Sequence, residues 1–478
     1  MEVMNLNQLN LEQNELIMCY IYDNMITYIN EYSKDISQIN FETIFYENIK
    51  EITKIFVEHY FSITDIDDED YEHLFLTCWK ESTLIFYKNI IPRRSYKTTF
   101  IRSKVNVSRI TEKINYLRSI PQPVQRTEEW YKTRYNLITA SNAYKCFENN
   151  NQKNSIIYEK CKPYEIRTEN SFATLNTAMH WGQKYEDISV QIYEKRYSTK
   201  IEDFGCIPHS EYTFVGASPD GINVDLNSER YGRMLEIKNI VNREIVDDPK
   251  KEYWVQMQLQ MEVCNLNECD FLETRFKQYE SYEEFIQDGD FTRTQNNMEK
   301  GIMILFIVDN KPLYKYAPLD MNQEEYNIWE KETMNTYTDD TFISIIYWRL
   351  DEFSCKLVLR NKKWFQDNIQ SMQEVWSIIE HERIHGYDHR APQKRIKKET
   401  TNSIQGCLIN IDNNINNTIS SIDKLDNYIK DEIEDNEPPS PSPILPPDKN
   451  EETKEEEKLP LNRFKIHTES FDESNIDV

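Results

Sequence analysis

The chain has 478 residues and a formal net charge of −26, and 39% of its residues are hydrophobic. This length allows two or three domains with at least one sizeable core. The sequence contains neither a run of about 18 uncharged apolar residues nor the basic-then-apolar start of a secretory signal. A membrane-spanning or secreted protein is therefore not expected. We predict a soluble intracellular protein, located in the cytoplasm or alternatively in the nucleus.

The nine cysteines show no C-x-x-C spacing. An odd number of scattered cysteines argues against a complete disulfide framework and against a zinc site. Reduced thiols are the expectation, as is usual inside cells.

The negative charge is unevenly distributed along the chain. Residues 401–478 contain 18 acidic and 7 basic residues, whereas residues 91–126 contain nine basic residues and one acidic residue, Glu112. A local basic surface can bind phosphates on a protein that is acidic on average. The overall charge therefore does not exclude a nucleic-acid partner.

The first 90 residues have apolar side chains at spacings of three and four, for example at Ile49, Ile52 and Ile55. This spacing predicts amphipathic helices that pack into a core. Pro121 and Pro123 mark a boundary before the next block. We therefore predict a helical N-terminal region over residues 1–120.

The next block, residues 121–398, mixes two kinds of predicted element. Helices are predicted over residues 141–147, 178–196 and 253–264, strands over residues 212–217, 233–238, 301–308 and 312–316, and one or two helices over residues 342–381. This order favours an α/β fold, with a mixed central sheet flanked by helices. Residues 399–478 are acidic and contain several prolines. Such a segment cannot bury enough apolar surface to offset its ordering entropy, so we predict a disordered tail.

Two charged residues on one predicted strand suggest chemistry. Glu236 and Lys238 are two positions apart, and residues i and i+2 of a strand point to the same face. Leu235 and Ile237 would then point into the core. Asp220 follows another predicted strand, in a Ser-Pro-Asp-Gly turn that can present its side chain. Two converging carboxylates are a common way to hold Mg²⁺, which prefers oxygen ligands.

Each of these features alone has an ordinary structural explanation. An E-x-K strand pair is often an exposed ion pair, Ser-Pro-Asp-Gly is often only a turn, and Glu186 on a predicted helix is often solvated. Their order and spacing are more specific: Trp181-Gly182-Gln183-Lys184-Tyr185-Glu186, then Ser218-Pro219-Asp220-Gly221, then Glu236-Ile237-Lys238, then Gln256-Met257-Gln258. His180 lies six positions before Glu186. That spacing puts it on another helical face, so it is a weaker candidate for a ligand.

In these motifs the chain resembles the PD-(D/E)xK nuclease superfamily, and within it the phage lambda exonuclease group, or YqaJ-like viral recombinases. The resemblance covers about residues 125–275, roughly a third of the chain. It implies a restriction-endonuclease-like core. It also implies that Glu186, Asp220, Glu236 and Lys238 are catalytic, that the Ile237 carbonyl joins the acidic residues as a metal ligand, and that Gln256, with Gln258 alongside, contacts substrate. The implied cofactor is Mg²⁺, with Mn²⁺ as a substitute, in a site for two ions.

An earlier motif extends the resemblance. Glu129-Trp130-Tyr131-Lys132-Thr133-Arg134 precedes Ile138-Thr139-Ala140-Ser141. In lambda-type exonucleases the matching arginine and serine contact a terminal 5′-phosphate, which implies this role for Arg134 and Ser141. A helix cap at Ser141 with a surface arginine is the alternative. Many members have glycine two positions after the arginine, whereas this chain has Asn136.

The resemblance implies a 5′→3′ double-strand DNA exonuclease in viral-type recombination, replication or repair, acting in the host cytoplasm. A structure-specific endonuclease of the same fold and a non-catalytic DNA-binding recombination module are the alternatives. The implied partners are DNA ends and a strand-annealing protein. Lambda-type relatives form trimers, so a homo-oligomer is a further expectation from the resemblance alone.

Overall fold

The computed structural model describes residues 6, 9–32, 36, 38–63, 66–94, 104–164, 178–246, 248–309 and 311–391. The predicted disordered tail, residues 399–478, lies outside the described residues. Within them, no helix combines the length and apolar character that crossing a bilayer requires. The eight cysteines in these ranges are all free thiols.

Three helices form the N-terminal region, as predicted: α1 (Leu11–Glu31), α2 (Phe41–Tyr60) and α3 (Asp68–Asn89). Asn10 begins α1 with a capping box, and Asp67 caps α3 by accepting from two backbone amides. The apolar stripe of each helix points inward. Residues such as Ile21, Phe45 and Phe75 are fully buried in a hydrophobic cluster that extends from Leu6 to Ile91.

Helix α4 (Lys104–Ser119) packs elsewhere. Its buried residues Ile114 and Leu117 belong to the largest hydrophobic cluster, which contains none of the side chains of α1 to α3. The predicted boundary at residue 120 assigns α4 to the N-terminal region, whereas its buried side chains pack into the core formed by the residues after that boundary.

The central element is a seven-stranded mixed sheet in the order β2-β5-β6-β7-β10-β8-β9. Its strands are β2 (Ile201–Glu202), β5 (Gly221–Asn223), β6 (Met234–Asn239), β7 (Glu268–Gln278), β8 (Lys300–Val308), β9 (Lys311–Tyr316) and β10 (Thr341–Leu359). Strands β6 and β7 are parallel, and the other neighbours are antiparallel. A smaller sheet contains β1 (Ile138–Thr139), β4 (Val215–Ala217) and β3 (Ile207–Pro208).

Helices cover both faces of the large sheet. The remaining ones are α5 (Glu128–Tyr135), α6 (Asn150–Cys161), α7 (Ala178–Tyr197), α8 (Lys251–Cys264), α9 (Tyr282–Gln287), α10 (Gln323–Thr336) and α11 (Lys362–His385), with 3-10 turns at Ala143–Phe147 and Asp388–Arg390. On one face, Leu235 and Ile237 of β6 pack against Tyr193 of α7. On the other face, Met234 joins the core that contains α8 and α11. The predicted α/β class with a mixed sheet flanked by helices is confirmed.

The prediction of one or two helices over residues 342–381 was wrong in its first half. Thr341–Leu359 is a 19-residue strand, β10, that pairs with β7 along one edge and β8 along the other. Its first residues, Thr-Phe-Ile-Ser-Ile-Ile-Tyr-Trp, are mostly β-branched or aromatic, and such side chains fit a pleated sheet. The helix over residues 141–147 is a short 3-10 turn, Ala143–Phe147.

Candidate active site

Asp220 and Glu236 face each other across two antiparallel strands. Gly221 of β5 pairs with Leu235 of β6, so the preceding residue, Asp220, and the following residue, Glu236, are the next opposed positions. Opposed residues of an antiparallel pair project on the same side of the sheet. The contact pattern agrees, since the Asp220 carboxylate (Oδ2) accepts a 2.7 Å hydrogen bond from the backbone N–H of Ile237. The structure thus brings together two of the predicted acidic residues.

The Glu236 carboxylate is completely buried and receives three donors. Oε1 accepts from the Lys238 ammonium and, at 2.7 Å, from the Gln256 amide. Oε2 accepts from the Gln260 amide, also at 2.7 Å. Lys238 shares the strand face of Glu236, as the two-residue spacing predicts, and its Nζ lies 5.1 Å from the centre of the Tyr253 ring.

The glutamines of α8 divide into two groups. Gln256 and Gln260, one helical turn apart, both reach Glu236. The structure does not bring Gln258 to this cluster: its amide donates to the Leu359 carbonyl, and its oxygen accepts from the Asn361 N–H. Gln260 was not predicted from the sequence. Its spacing of four residues from Gln256 puts both side chains on one helical face, whereas Gln258, two residues from Gln256, lies on another.

Glu186 lies on α7 and pairs with Arg126, with 2.5 Å between the closest N and O atoms. Burial raises the pKa of Glu186, Arg126 opposes the rise, and the charge of Asp187 adds to it. Arg126 has a backbone φ of 65°, in the left-handed region that residues other than glycine seldom adopt. Sequence analysis did not single out Arg126 as a partner of Glu186.

The three acidic side chains influence one another. Burial raises the pKa of Asp220 well above its usual value, and the charges of Glu236 and then Glu186 raise it further. Burial alone would lower the pKa of Lys238, but Glu236 and Asp220 outweigh that effect and raise it. The cluster has more negative than positive charge in a poorly solvated place, so a cation would stabilise it.

These residues fit an oxygen-preferring divalent ion. Among the described residues, Asp220 Oδ1 accepts no hydrogen bond and so has a lone pair to offer. No group of three or more His, Cys, Asp and Glu side chains in the described ranges is arranged to hold an ion. The protein ligands would therefore be two carboxylates, Asp220 and Glu236, and one backbone oxygen, the Ile237 carbonyl. Water would complete the coordination shell, as Mg²⁺ commonly accepts.

Arg134 and Ser141 lie in direct contact. An Arg134 Nη donates to the Ser141 hydroxyl at 3.0 Å, and the other Nη donates to the Ser218 hydroxyl at 3.4 Å. The guanidinium lies 4.3 Å from the centre of the Trp130 ring. Ser141 does not cap a helix, because the 3-10 turn begins after Asn142. Two hydroxyls beside a fork of N–H donors suit a phosphate group.

Ser218 lies between the Arg134 guanidinium and the carboxylates of Asp220 and Glu236. Its hydroxyl meets Arg134, its carbonyl accepts a 3.4 Å hydrogen bond from the Gln260 amide, and it lies two residues before Asp220. Among the described residues, His180 contacts Tyr314, with its Nε2 2.6 Å from the Tyr314 hydroxyl.

The described basic residues of the stretch 91–126 do not form one surface, and Arg118, for example, pairs with Glu202. Arg93, Arg94, Arg109 and Lys113 line a cleft of about 1030 Å³, and the residues lining this cleft include none of the carboxylate cluster. Arg126 instead reaches Glu186. Residues 95–103 of this stretch lie outside the described ranges.

Comparison with known proteins identifies a family resemblance. Residues 129–267 match the family model of the YqaJ-like viral recombinase domain. This range contains every site residue predicted from the sequence. The resemblance to YqaJ-like viral recombinases that the motifs indicate is confirmed.

Individual proteins are also similar. The chain is 31% identical over 335 residues to the uncharacterized protein R354 of Acanthamoeba polyphaga mimivirus, a match that covers 62% of this chain and 58% of that protein. The chain thus spans less than two thirds of this relative. It is similar to the crystal structures of the alkaline exonuclease LHK-Exo from Laribacter hongkongensis and of LHK-Exo in complex with dAMP. Each is 17% identical, has a TM-score of 0.33, and covers 54% of this chain and 95% of that chain.

Proposed function

We propose that this protein is a Mg²⁺-dependent DNA nuclease of the PD-(D/E)xK type. The observation that carries the proposal is the opposition of Asp220, directly before β5, and Glu236 on β6, with Lys238 on the same face as Glu236. This arrangement lies within the YqaJ-like domain. An acidic pair beside an ammonium suits hydrolysis of a phosphodiester, because the attacking water must be activated and the charge on the phosphate must be stabilised.

Each residue has a separate part in the proposed reaction. A bound Mg²⁺, or Mn²⁺ in its place, supplies Lewis acidity at the scissile phosphate. Asp220, Glu236 and the Ile237 carbonyl would hold one ion, and Glu186 would hold a second one. Lys238 orients the attacking water and stabilises the developing negative charge. Gln256 and Gln260 keep the Glu236 carboxylate in one orientation through their hydrogen bonds.

The contacts of Arg134 support action from a DNA end. A guanidinium flanked by the Ser141 and Ser218 hydroxyls can bind a terminal 5′-phosphate, which an exonuclease needs and an internal cutter does not. We therefore propose 5′→3′ digestion of double-stranded DNA, producing nucleotides with 5′-phosphates. We further propose a role in the DNA recombination, replication or repair of a large virus, in the host cytoplasm. The mimivirus relative supports the viral context of this proposal. A strand-annealing partner and a homo-oligomer remain predictions.

The test of the function uses defined DNA substrates. Linear duplexes with 5′-phosphate or 5′-hydroxyl ends are incubated with the protein in Mg²⁺ or in a chelator, next to covalently closed circles. We expect digestion of the linear DNA only, only with Mg²⁺, and faster from phosphorylated ends. Cleavage of closed circles would favour a structure-specific endonuclease. A lack of Mg²⁺-dependent turnover on every substrate would favour a non-catalytic DNA-binding module.

The role of Lys238 is tested separately. We expect Lys238→Ala to reduce cleavage by about 10³-fold or more while DNA binding, measured by fluorescence anisotropy, is retained. Lys277→Ala is the matched control, since Lys277 is also a strand lysine in an ion pair, with Asp351. Its cleavage rate should match that of the wild type. Undiminished turnover by folded Lys238→Ala would refute the role of the lysine.

A further inference from the structure

The helix that carries Arg134 ends without a glycine. Helix α5 ends at Tyr135, and Asn136 follows with φ −90° and ψ 17°, so the backbone does not enter the left-handed region. Helices often end in a left-handed glycine whose geometry satisfies the last carbonyls. The Arg134 carbonyl accepts from the Leu137 N–H at 3.2 Å and from the Asn136 N–H, whereas the Tyr135 carbonyl accepts from none of the described backbone N–H groups. The last turn of a helix often leaves carbonyls to be paired by side chains.

Lys160 of α6 supplies the first side-chain partner of this helix end. Its side chain is 4% exposed, and its ammonium donates to the Arg134 carbonyl at 2.8 Å. Burial of a lysine charge is costly unless acceptors compensate for the lost water. An apolar side chain would fill this space at a lower cost in free energy. The acceptor of the Lys160 ammonium is the backbone of Arg134, the residue that is proposed to bind phosphate.

Arg383 of α11 supplies the second partner. One Nη donates to the Tyr135 carbonyl at 3.0 Å, and the guanidinium lies 4.4 Å from the centre of the Tyr135 ring. The other Nη reaches the Asn136 side chain at 3.3 Å, and Nε donates to the Lys160 carbonyl at 2.9 Å. One side chain therefore contacts both the end of α5 and the helix that carries Lys160.

We infer that Lys160 and Arg383 are positioning residues that fix the C-terminal end of α5 and thereby aim Arg134 at a terminal 5′-phosphate. This inference rests on the proposed function. Two cations at a helix C-terminus are also favourably placed in the field of the helix dipole. Arg383 lies outside the residues that match the YqaJ-like family, 129–267, so the C-terminal helix becomes part of the machinery that recognises DNA ends.

The expected effect is selective for phosphorylated ends. Loss of Arg383 frees the end of α5, so Arg134 no longer stays in register with Ser141 and Ser218. A displacement of about 1 Å in a positioned group can cost up to about a hundredfold. A positioning role limited to the phosphate should leave the binding of an end that lacks the phosphate almost unchanged.

The experiment measures binding rather than cleavage. Hairpin duplexes that differ only in a 5′-phosphate or 5′-hydroxyl are titrated in a chelator, with fluorescence anisotropy as the readout. We expect the wild type to prefer the phosphorylated end. Arg383→Met and Lys160→Met should each lower that preference by about tenfold, with 5′-hydroxyl binding unchanged within about twofold.

Arg390→Met is the matched control. Arg390 lies just beyond α11, pairs with Glu382 and contacts Asn154 of α6, and none of these contacts reaches α5. Its loss should leave the preference intact. If Arg383→Met melts below the assay temperature, Arg383→Lys takes its place. It keeps one donor for the Tyr135 carbonyl, loses the fork, and should show a smaller drop in preference.

The outcomes separate this inference from the nuclease proposal. Equal losses for both kinds of end, or an unchanged preference in Arg383→Met and Lys160→Met, would overturn the positioning role. A wild type that cleaves DNA but binds both ends equally would also overturn it, while the nuclease proposal would stand. A wild type that prefers 5′-phosphate but never cleaves would instead overturn the nuclease proposal, and a reduced preference in the two variants would still support the positioning role.

Discussion

Lys160 gives the protein an expected stability change at alkaline pH. Burial lowers the pKa of its ammonium from 10.5 to about 8, with Arg134 and Arg383 lowering it and Glu159 and Cys206 opposing them. Between these two pH values the unfolded chain holds a proton that the folded chain has released. A rise in pH then favours the folded state.

The prediction compares the wild type with Lys160→Met. From pH 8 to pH 10.5 the free energy of unfolding of the wild type should rise relative to that of the variant, by roughly 3 kcal/mol at most. Denaturant unfolding at several pH values, followed by circular dichroism, measures the difference. A difference that stays flat or falls over this interval would contradict the lowered pKa.

The glutamines of α8 allow a second prediction at the residue scale. Gln260→Ala removes a donor to the buried Glu236 carboxylate and should reduce cleavage per folded molecule by about tenfold or more, beside a loss of stability of about 1–3 kcal/mol. Gln258→Ala removes the partners of the Leu359 carbonyl and the Asn361 N–H. It should destabilise the fold by about 1–3 kcal/mol and leave turnover per folded molecule unchanged. Rates and melting curves of both variants check this, and the reverse pattern would restore Gln258 to the site.

The same residues show what the sequence could supply. Glu236 and Lys238 were placed on one face by strand periodicity alone, and the opposition of Glu236 to Asp220 depends only on the register between β5 and β6. Gln260 could have been predicted from its spacing of four residues from Gln256 on a helix, but the motif that carries the resemblance contains Gln258 instead. Arg126 and Arg383 could not be found in this way. Their contacts join positions 60 and 248 residues apart in the chain, which no local pattern encodes.

At the scale of elements, periodicity predicts best where an element has one buried face. Helices α1 to α3 and α7 repeat apolar residues every three or four positions and were predicted. Strand β10 was not, because it pairs on both edges in the middle of the sheet and is only partly buried along its first half. The side chains of its first half do not alternate cleanly between apolar and polar, so the period of two that indicates a strand is missing there.

This strand matters for the site because of what it joins. Strand β10 pairs with β7, and β7 is the parallel neighbour of β6, which carries Glu236 and Lys238. Arg360 follows β10 directly, and α11 begins two residues later. The long strand therefore lies between β7 and the outer hairpin β8-β9, and it leads into α11, whose Arg383 contacts α5.

At the scale of the whole molecule, the N-terminal helices have an apolar core of their own. It lies among α1, α2 and α3, and it is separate from the large core beside the proposed site. Among the described residues, hydrogen bonds link the two where α11 begins: the Lys362 N–H donates to the Ile90 carbonyl, and its ammonium donates to the Lys88 carbonyl.

Two truncations test where the second core begins. A chain that starts at residue 95 keeps α4, so Ile114 and Leu117 stay buried and the Thr111 hydroxyl keeps its 2.8 Å hydrogen bond with Tyr231. A chain that starts at residue 121, the boundary that the prolines predict, loses all three. Removal of two buried aliphatic side chains alone costs roughly 3–6 kcal/mol, out of a typical total of about 5–15 kcal/mol.

The longer chain should therefore unfold cooperatively and retain cleavage of linear DNA. The shorter one should melt at a much lower temperature or fail to fold. Guanidinium unfolding followed by circular dichroism and by tryptophan fluorescence compares them, and equal stability of the two chains would show that α4 belongs with the N-terminal helices after all.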